Sequence, residues 1–475
     1  MTDEKYEELL KSPDYKPWLD PCLPYSYLWW AKVPVEEGIA RWKALFDVEE
    51  TVKIGDGVAA SVVIPVYNAA PYLPQLLISL AAQTLENIEI ICVDDGSSDD
   101  SRAICEAFAA RDPRFKVLPQ PNQGAAVARN NGLEASSGKW VFFSDADDFC
   151  RPEMLAEMVA EGEKGADVVV AARHYLDFQG RTKGVEKDIP KEYFELGETV
   201  TADTEGFNAF AGLGYAAWNK LYLREYLMEQ NLRFYKLPAC NDMTFVTCSL
   251  LRAKRIRFIQ KTYYYYRDDN PCGLVGGLDR YPTIFLEAWT AVWREVSTRS
   301  ERLQAQFYDA AIRTSFWHLT HKKSVEGMKA VYQALSDGAL TAMKGEKVDD
   351  DALNIGLARD AYEALKRREP LEAVLLALFL SRRNKLDAVR NDFRRTKQKV
   401  VALKQKVVAL KEKNAALKEK NAALKGKNDA LKGKNANLKE KNEKLKAKIV
   451  GLENSFAYKT GMFITWPLRK LRHKR

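Results

Sequence analysis

The sequence predicts an α/β fold with a mostly parallel sheet flanked by helices, followed by a helical region and a long C-terminal helix. In the first half, short apolar runs rich in β-branched residues alternate with amphipathic segments, which is typical of strand–helix–strand units. Acidic clusters at residues 94–100 and 144–148 directly follow two of the apolar runs. Since open α/β sheets bind ligands at the carboxyl ends of their strands, these clusters indicate a ligand site.

The elements of the predicted sheet follow one another in a regular order. The first run, ASVVIPVY, has no polar alternation, which indicates a strand buried on both faces. Apolar runs predict strands at residues 60–67, 88–93, 115–118, 139–143 and 167–171. Helical spacing predicts helices at residues 72–83, 100–110 and 125–134.

Composition divides the chain into five parts. A Trp- and Tyr-rich stretch with a helix-like segment at residues 35–46 precedes the first strand, and several helical patterns follow the last one. The predicted parts are an N-terminal helical extension (1–57), the α/β domain (58–275), a helical region (276–390), a lysine-rich coiled coil (391–454) and a basic aromatic tail (455–475).

The distribution of charge and of cysteine indicates which partners and which redox compartment to expect. The net charge of +8 combines +12 between Arg395 and Glu453, +6 from Asn454 to Arg475, and −10 over the remaining residues. An acidic body therefore carries a basic arm, which suggests an anionic surface or an acidic partner for that arm. The seven cysteines are scattered without a CxxC pair, which favours a reducing compartment over a disulfide framework or a zinc site.

A seven-residue repeat from Val400 to Leu452 predicts a long helix. Leucine recurs every seven residues from Leu403, and Val, Asn or Ile stands three residues before each leucine. This is the pattern of a coiled coil, in which the Asn layers favour two parallel strands at a cost in stability. The flanking lysines would repel one another in a homodimer. Self-association, another coiled-coil partner and a solvated spacer all stay open, and nucleic acid is the less favoured partner.

The tail combines aromatic and basic side chains. Phe456, Tyr458, Phe463 and Trp466 precede a closing cluster of Lys and Arg, a composition that suits the surface of an anionic membrane. A poorly ordered tail is the alternative. The N-terminal MTDEKYEELL lacks the apolar segment of a secretory signal, and the longest apolar run is too short to cross a bilayer. We therefore expect a soluble or peripheral protein.

Asp145 and Asp147 form a DxD pair at the end of a predicted strand. Carboxylates one residue apart can coordinate Mg²⁺ or Mn²⁺, which prefer oxygen ligands and keep positions open for substrate phosphates. A DxD pair alone is weak evidence because Asp is common in turns. Here Asp94 and Asp95 follow a second strand, and Arg129, between the clusters, supplies the cation that a nucleotide needs among acids.

Four motifs, in this order and spacing, closely resemble those of glycosyltransferase family 2. They are VVIPVYN, DDGSSDD, NQGAAVARNNGL and the SDADD cluster, and the resemblance covers about residues 60–273. It implies a GT-A fold and an inverting transfer from a nucleotide-activated sugar, usually a UDP-sugar, with a divalent metal as cofactor. The QxxRW motif of processive polysaccharide synthases is absent, so a single addition is expected.

The resemblance also implies roles for individual residues. Asp147, together with Asp145, would bind the metal. Residues that match the nucleotide-sugar pocket are Pro65, Tyr67, Asn68, Asp94, Asp95, Gly96, Gly124, Arg129 and Asp145. Residues that match the acceptor or diphosphate region are Trp218, Asn219, Lys220 and Arg267, with core packing as the alternative for the tryptophan.

An inverting transfer needs a base that takes the proton of the attacking hydroxyl. In the family this base is commonly the Asp of a Glu-Asp pair, and the matching place here is Asn241-Asp242. We therefore expect Asp242 to be the general base, although Asn241 replaces the Glu. An N-cap of the following helix is an alternative role for Asp242 that is compatible with catalysis.

The resemblance leads to one expected role and two alternatives. The expected enzyme is cytoplasmic and peripheral at the inner membrane, where it adds a sugar to a surface glycan or a lipid-linked acceptor during synthesis of a cell-envelope polysaccharide. A nucleotidyltransferase would need a Gly-rich loop with Lys or Arg where this chain has residues 68–71 (NAAP). A scaffold that binds a nucleotide-sugar without turnover would not need intact Asp145, Asp147 and Asp242.

Overall fold

One sheet of nine strands forms the centre of the first part of the chain. The computed structural model describes residues 26–176, 182–187, 189–197, 199–267, 279–322, 324–346, 348–351, 353–381, 383, 439–449 and 451, and all counts refer to these residues. The chain divides into two compact units, Met1–Leu371 and Glu372–Arg475, and the sheet belongs to the first. The strands are β1 (Ala60–Val66), β2 (Ile88–Asp94), β3 (Phe115–Pro119), β4 (Trp140–Phe143), β5 (Phe149–Cys150), β6 (Val168–Leu176), β7 (Thr182–Lys187), β8 (Lys220–Leu223) and β9 (Ile256–Arg267).

The sheet is parallel in one half and mixed in the other. Its strand order is β3-β2-β1-β4-β8-β6-β9-β5, and β7 pairs with β6. β1 runs parallel to β2 and β4, and β2 runs parallel to β3. β8 is antiparallel to both β4 and β6, so the sheet is less uniformly parallel than the sequence predicts. The reason is topological, because the chain makes the β6–β7 hairpin and a long excursion before β8 returns beside β4.

Helices connect the strands and cover the sheet. The helices predicted after the first three strands are confirmed, and the region after β9 is helical as expected. The helices are α1 (Ser26–Trp30), α2 (Val35–Leu45), α3 (Leu73–Ala81), α4 (Ser101–Ala109), α5 (Ala125–Ala135), α6 (Met154–Gly162), α7 (Arg224–Glu229), α8 (Asn241–Arg252), α9 (Ile284–Val296), α10 (Glu301–His321), α11 (Val325–Ser336) and α12 (Arg359–Lys366).

Both faces of the parallel half of the sheet are buried. Val62 and Ile64 of β1 belong to a large core cluster that includes the leucines of α3. On β2, Ile91 and Val93 face the other way and pack against Ala128 of α5. Since successive side chains of a strand point to opposite faces, this arrangement explains the absence of polar alternation in the first apolar run.

The N-terminal extension packs on the sheet domain through tryptophan. The side chains of Trp30 and Trp42 are completely buried, with their ring centroids 4.8 Å apart. The indole Nε1 of Trp42 donates a hydrogen bond of 3.1 Å to the carbonyl oxygen of Cys150. The extension is therefore part of the same core as the sheet.

In the second unit, residues 372–381 and 439–449 are helical. The helix at residues 439–449 agrees with the heptad pattern predicted there. The heptads before residue 439 and the aromatic tail lie outside the described residues. Within the described part of the chain, no helix has both the length and the hydropathy needed to span a bilayer.

A buried carboxylate holds the amino ends of the parallel strands together. Glu89 of β2 is 2% exposed and accepts hydrogen bonds from the Ser61 hydroxyl at 2.6 Å, the Ser137 amide at 2.6 Å and the Lys116 ammonium at 2.6 Å. Burial by itself would raise the pKa of Glu89, but these donors lower it to about 2. The ionised Glu89 thus stabilises the fold.

We expect Glu89→Gln to lower the free energy of unfolding at pH 7 by about 3 kcal/mol. The reason is that a carboxyl whose pKa is lower in the folded state than in the unfolded state stabilises the fold when it is ionised. The difference in free energy of unfolding between the wild type and this variant should become smaller as the pH falls from about 4.5 toward about 2, where the native carboxylate is protonated. Urea unfolding at pH 7 and pH 3.5 measures both. Glu106→Gln, which breaks an exposed pair with Arg102, should cost less than about 1 kcal/mol. Equal losses for the two variants would contradict this account.

Candidate functional site

The carboxyl ends of β1, β2 and β4 meet at one edge of the sheet because these strands are parallel neighbours. The amide of Asp95 donates to the carbonyl of Val66 at 2.8 Å, and the amide of Ser144 donates to the carbonyl of Val63 at 3.0 Å. The two acidic clusters therefore lie on either side of the end of β1, as the sequence predicts. This edge is the candidate functional site.

The loop after β1 is tied to the first acidic cluster. The backbone of Asn68 has φ +49°, and its side-chain oxygen accepts a hydrogen bond of 2.8 Å from the Ser98 amide. Its own amide donates to the Ser97 hydroxyl at 3.1 Å. Pro65 is half-buried and Tyr67 is 53% exposed at this edge. The loop that carries the exposed Tyr67 is thus tied to the first cluster, where the nucleotide pocket is predicted.

Asp94 and Asp95 are both buried, and each accepts hydrogen bonds from nearby loops. One oxygen of Asp94 accepts from the Ser97 amide at 3.2 Å. The two oxygens of Asp95 accept from the amides of Gln123 at 2.7 Å and Gly124 at 2.8 Å. Asp95 thus holds the loop that leads into α5, a role in addition to the predicted lining of the nucleotide pocket.

Two predicted glycines lie where the backbone requires them. Gly96 has φ +73°, and a Cβ there would lie 3.0 Å from the amide nitrogen of Asn122. Gly124 has φ +90° directly before α5. Both values favour glycine, because other residues rarely adopt the left-handed region. At Gly96 the missing side chain also lets the loop after β2 approach Asn122.

Residues of β9 form hydrogen bonds with the second acidic cluster. The Tyr264 hydroxyl accepts a hydrogen bond of 2.9 Å from the amide of Asp145 and lies 3.0 Å from the Ser144 hydroxyl. The amide of Arg267 donates to Asp148 at 2.8 Å. This support could not be predicted from local sequence patterns, because β9 lies more than a hundred residues further along the chain.

Arg129 joins the second acidic cluster to the start of α8. Its Nη2 donates to Asp145 at 2.6 Å, and its Nη1 donates to the side-chain oxygen of Asn241 at 3.0 Å. Its Cζ lies 5.3 Å from the centroid of the Phe234 ring, and the residue is 7% exposed. A family Glu at position 241 would compete with Asp145 for this cation, whereas the neutral Asn241 accepts one hydrogen bond without adding charge.

Asp242 lies in the first turn of α8, next to Asn241. The N-cap residue is Cys240, with φ +58°, so the alternative role of Asp242 as N-cap is wrong by two positions. Burial raises the pKa of Asp242, the nearby Arg129 lowers it and Asp145 raises it, with a net increase. A carboxylate whose pKa is raised is a better proton acceptor than an ordinary Asp.

The acidic cluster has the donor atoms that a hard divalent cation prefers. Burial, followed by the charges of Asp147 and Asp145, raises the pKa of Asp148 well above its ordinary value. Such repulsion is relieved by a cation. No group of three or more His, Cys, Asp or Glu arranged for metal binding occurs among the described residues. A cation such as Mg²⁺ takes one or two carboxylates from the protein and its other ligands from phosphates and water, so Asp145 and Asp147 would be enough to hold it.

The segment from Trp218 to Lys220 is buried beside the site. The Trp218 ring stacks against those of Tyr264 and Tyr266, with centroids 5.0 and 4.9 Å apart. The Asn219 amide donates to the carbonyl of β6 residue Ala171 at 2.8 Å. These contacts show that Trp218 packs in the core, the alternative considered from the sequence.

Lys220 is completely buried and donates hydrogen bonds to a neighbouring loop. Its ammonium donates to the carbonyl oxygens of Leu213, Gly214 and Ala216 at 3.2, 3.1 and 2.9 Å. Burial lowers the pKa of Lys220 well below its ordinary value, and Arg173 lowers it further. Lys220 therefore holds the loop at residues 213–216, and direct contact with an acceptor stays a prediction without geometric support.

Arg267 is also buried, at 2% exposed. Its Nη2 donates to the side-chain oxygen of Gln75 at 2.5 Å. Its guanidinium is therefore buried rather than on the open surface of the site, and the expected approach to a diphosphate would be through its charge. Tyr264, Gln75 and Phe234 are contributors that the sequence reasoning missed, because no local pattern distinguishes them from core residues.

Comparisons with known proteins show which families and folds this chain is similar to. A model of the family "Glycosyl transferase family 2" matches residues 61–227. EpsH of Bacillus subtilis (strain 168), which is named as a glycosyltransferase, is 33% identical over 219 residues, or 44% of this chain and 60% of EpsH. The glycosyltransferase GlyG of Streptococcus pneumoniae serotype 4 is 42% identical over 119 residues, or 25% of this chain and 40% of GlyG. The chain thus spans less than two thirds of the length of these relatives.

Solved structures share the fold. A crystal structure of residues 1–349 of S. aureus TarS with UDP-GlcNAc is 21% identical, with a TM-score of 0.55, and covers 69% of this chain and 92% of that chain. At this identity the likeness concerns the fold alone. It confirms the GT-A fold that the motifs imply.

We expect Arg129→Gln to lower the free energy of unfolding by about 2 kcal/mol, because it removes hydrogen bonds to a charged partner and leaves the acidic cluster uncompensated. Arg233→Gln is the matched control, since Arg233 pairs with Glu134 on the surface and should contribute less than about 1 kcal/mol. Urea unfolding of both variants measures the difference. Arg129 would lose its assigned role if its replacement were as harmless as that of Arg233.

Proposed function

We propose that this chain, in which residues 61–227 match the model of glycosyl transferase family 2, is an inverting glycosyltransferase. It transfers a single sugar, of the hexose type, from a nucleotide diphosphate, with UDP as the favoured nucleotide, to a hydroxyl of a surface glycan or a lipid-linked acceptor. One observation supports this most strongly. Arg129 connects Asp145, in the predicted donor site, with the helix turn that carries Asp242, the proposed base.

The proposed reaction is a direct displacement. The acceptor oxygen attacks the anomeric carbon from the side opposite the diphosphate, so that a new C–O bond forms as the bond from this carbon to the phosphate oxygen breaks. The electron pair of the broken bond leaves with the nucleoside diphosphate. The hydroxyl proton passes to the carboxylate of Asp242, whose raised pKa suits it to accept that proton.

Other residues of the chain would bind the donor, hold the loops of the site and bind the metal. Asp94, with Pro65 and Tyr67, would line the base and ribose pocket, and Asp95 would keep the loop before α5 in place. Arg129 orients Asp145 toward the donor. Asp147, with Asp145, would hold Mn²⁺ or Mg²⁺, which when bound neutralises the charge of the departing diphosphate.

We expect Asp242→Asn to reduce the rate of sugar transfer by about 10²- to 10⁴-fold while donor binding persists, because the amide cannot accept the proton. In the wild type, the acid limb of kcat/KM should lie above the ordinary Asp pKa of 3.8, since the pKa of Asp242 is raised. A group with a raised native pKa also opposes folding when ionised, so Asp242→Asn should increase Tm at neutral pH. Transfer assays, a pH profile and thermal unfolding measure the three effects.

Asp309→Asn is the matched control for the Asp242 variant. Burial also raises the pKa of Asp309, which lies on α10 and accepts a hydrogen bond from the Asn354 amide. Asp309→Asn should therefore increase Tm without reducing the transfer rate. Unchanged transfer by the Asp242 variant would remove the proposed base, and donor binding by the wild type without turnover would favour a scaffold.

We also propose that the enzyme is cytoplasmic and that its basic aromatic tail binds the anionic surface of the inner membrane near a lipid-linked acceptor. The charge of the last residues, from Asn454 to Arg475, is +6 with no acidic residue. Flotation with vesicles of anionic phospholipid should recover the full chain, and a variant that ends at Asn454 should bind more weakly, especially at low salt. Equal flotation of the two chains would exclude the tail as the binding element.

A further inference from the structure

Helix α1 of the N-terminal extension brings Tyr27 to the second acidic cluster. Tyr27 lies outside the segment that the family model matches, and it is 7% exposed. Its ring centroid lies 4.6 Å from that of Tyr72, and a side-chain hydrogen bond links the two residues. Tyr72 directly precedes α3 and interacts electrostatically with Asp147. The extension therefore reaches the loop of the proposed metal ligand through one intervening side chain.

Tyr27 also forms one wall of an aromatic cage around Arg267. The guanidinium carbon of Arg267 lies 5.4 Å from the ring centroid of Tyr27, 5.9 Å from that of Tyr72 and 5.2 Å from that of Phe149. Aromatic faces attract a cation, and the attraction grows when the cation is desolvated. The three rings thus help to keep a charged arginine in a position with almost no access to water.

Arg267 is connected to the acidic cluster through its backbone and through Tyr72. The backbone amide of Arg267 donates to Asp148 at 2.8 Å, and the charges of Arg267 and Asp147 both act on Tyr72. A fixed positive charge near the cluster lowers the cost of holding several carboxylates together. The position of this charge depends on the rings around it, and one of those rings comes from the extension.

We propose that Tyr27 is a positioning residue of the donor site, which keeps Tyr72 and Arg267 in place next to residues 145–148. It thereby sets the affinity of this loop for a divalent cation bound to a nucleoside diphosphate. This inference rests on the proposed function. It gives the N-terminal extension a part in substrate binding, and it makes residues outside the family segment necessary for a complete site.

The test is isothermal titration of the full chain with UDP in the presence of MnCl₂. Tyr27→Ala should weaken binding about tenfold, which corresponds to about 1.4 kcal/mol. Tyr27→Phe retains the ring but loses the hydroxyl, and it should weaken binding by a smaller factor. The matched control is Trp29→Ala on the same helix, because Trp29 contacts Trp30 and the guanidinium of Arg41 instead of the acidic cluster. It should leave the Kd unchanged.

Thermal unfolding of the same variants separates positioning from general packing. Tyr27→Ala and Trp29→Ala should both lower the Tm of the unliganded chain, but only the former should also reduce the increase in Tm that UDP with Mn²⁺ produces. Wild-type affinity in both Tyr27 variants would overturn the inference and leave the proposed function intact. A wild-type chain that does not bind UDP with Mn²⁺, or an Asp147→Asn variant that binds it equally well, would overturn the proposed function and the inference with it.

Discussion

The repulsion among carboxylates at one edge of the sheet is the constraint on which the site depends. Asp94 and Asp95 lie at the end of β2, and Asp145, Asp147 and Asp148 follow β4, which like β2 is a neighbour of β1. The protein compensates them in different ways. Backbone amides satisfy Asp94 and Asp95, a guanidinium pairs with Asp145, and the amide of Arg267 supports Asp148. Each of these hydrogen bonds holds a different loop in place. The carboxylates that would bind a ligand therefore also determine the conformation of the loops around them.

Arg129 is the residue through which this compensation extends beyond the sheet. It lies on α5, which is positioned by the loop that Asp95 holds, and it reaches both Asp145 and the first turn of α8. The helix turn with Asp242 is therefore anchored to the same charge that stabilises the acidic cluster. In the proposed reaction, this shared guanidinium would keep the donor site and the base at a fixed separation, which an in-line displacement requires.

Local patterns in the sequence were sufficient for the first half of the fold. The strands and helices up to β4 differ from their predicted bounds by a few residues at most, because continuous apolar runs and helical spacing are local signals. The antiparallel β8 was not predicted, since its place beside β4 depends on the whole excursion after β6. The motifs located the site, but they did not show that Lys220 and Arg267 are buried, which depends on packing by distant segments. The alternative role of Asp242 as an N-cap is wrong because the N-cap is Cys240, which lies two residues earlier in a left-handed backbone conformation.

A crystal structure of the chain with UDP and Mn²⁺ would show whether the acidic edge of the sheet binds the donor. We expect the uracil and ribose to lie between Tyr67 and Asp94, and the diphosphate and metal to lie against Asp145 and Asp147. Asp242 would face the open side of the β-phosphate. A well-occupied nucleotide bound anywhere else on the chain, with the acidic edge empty, would contradict it.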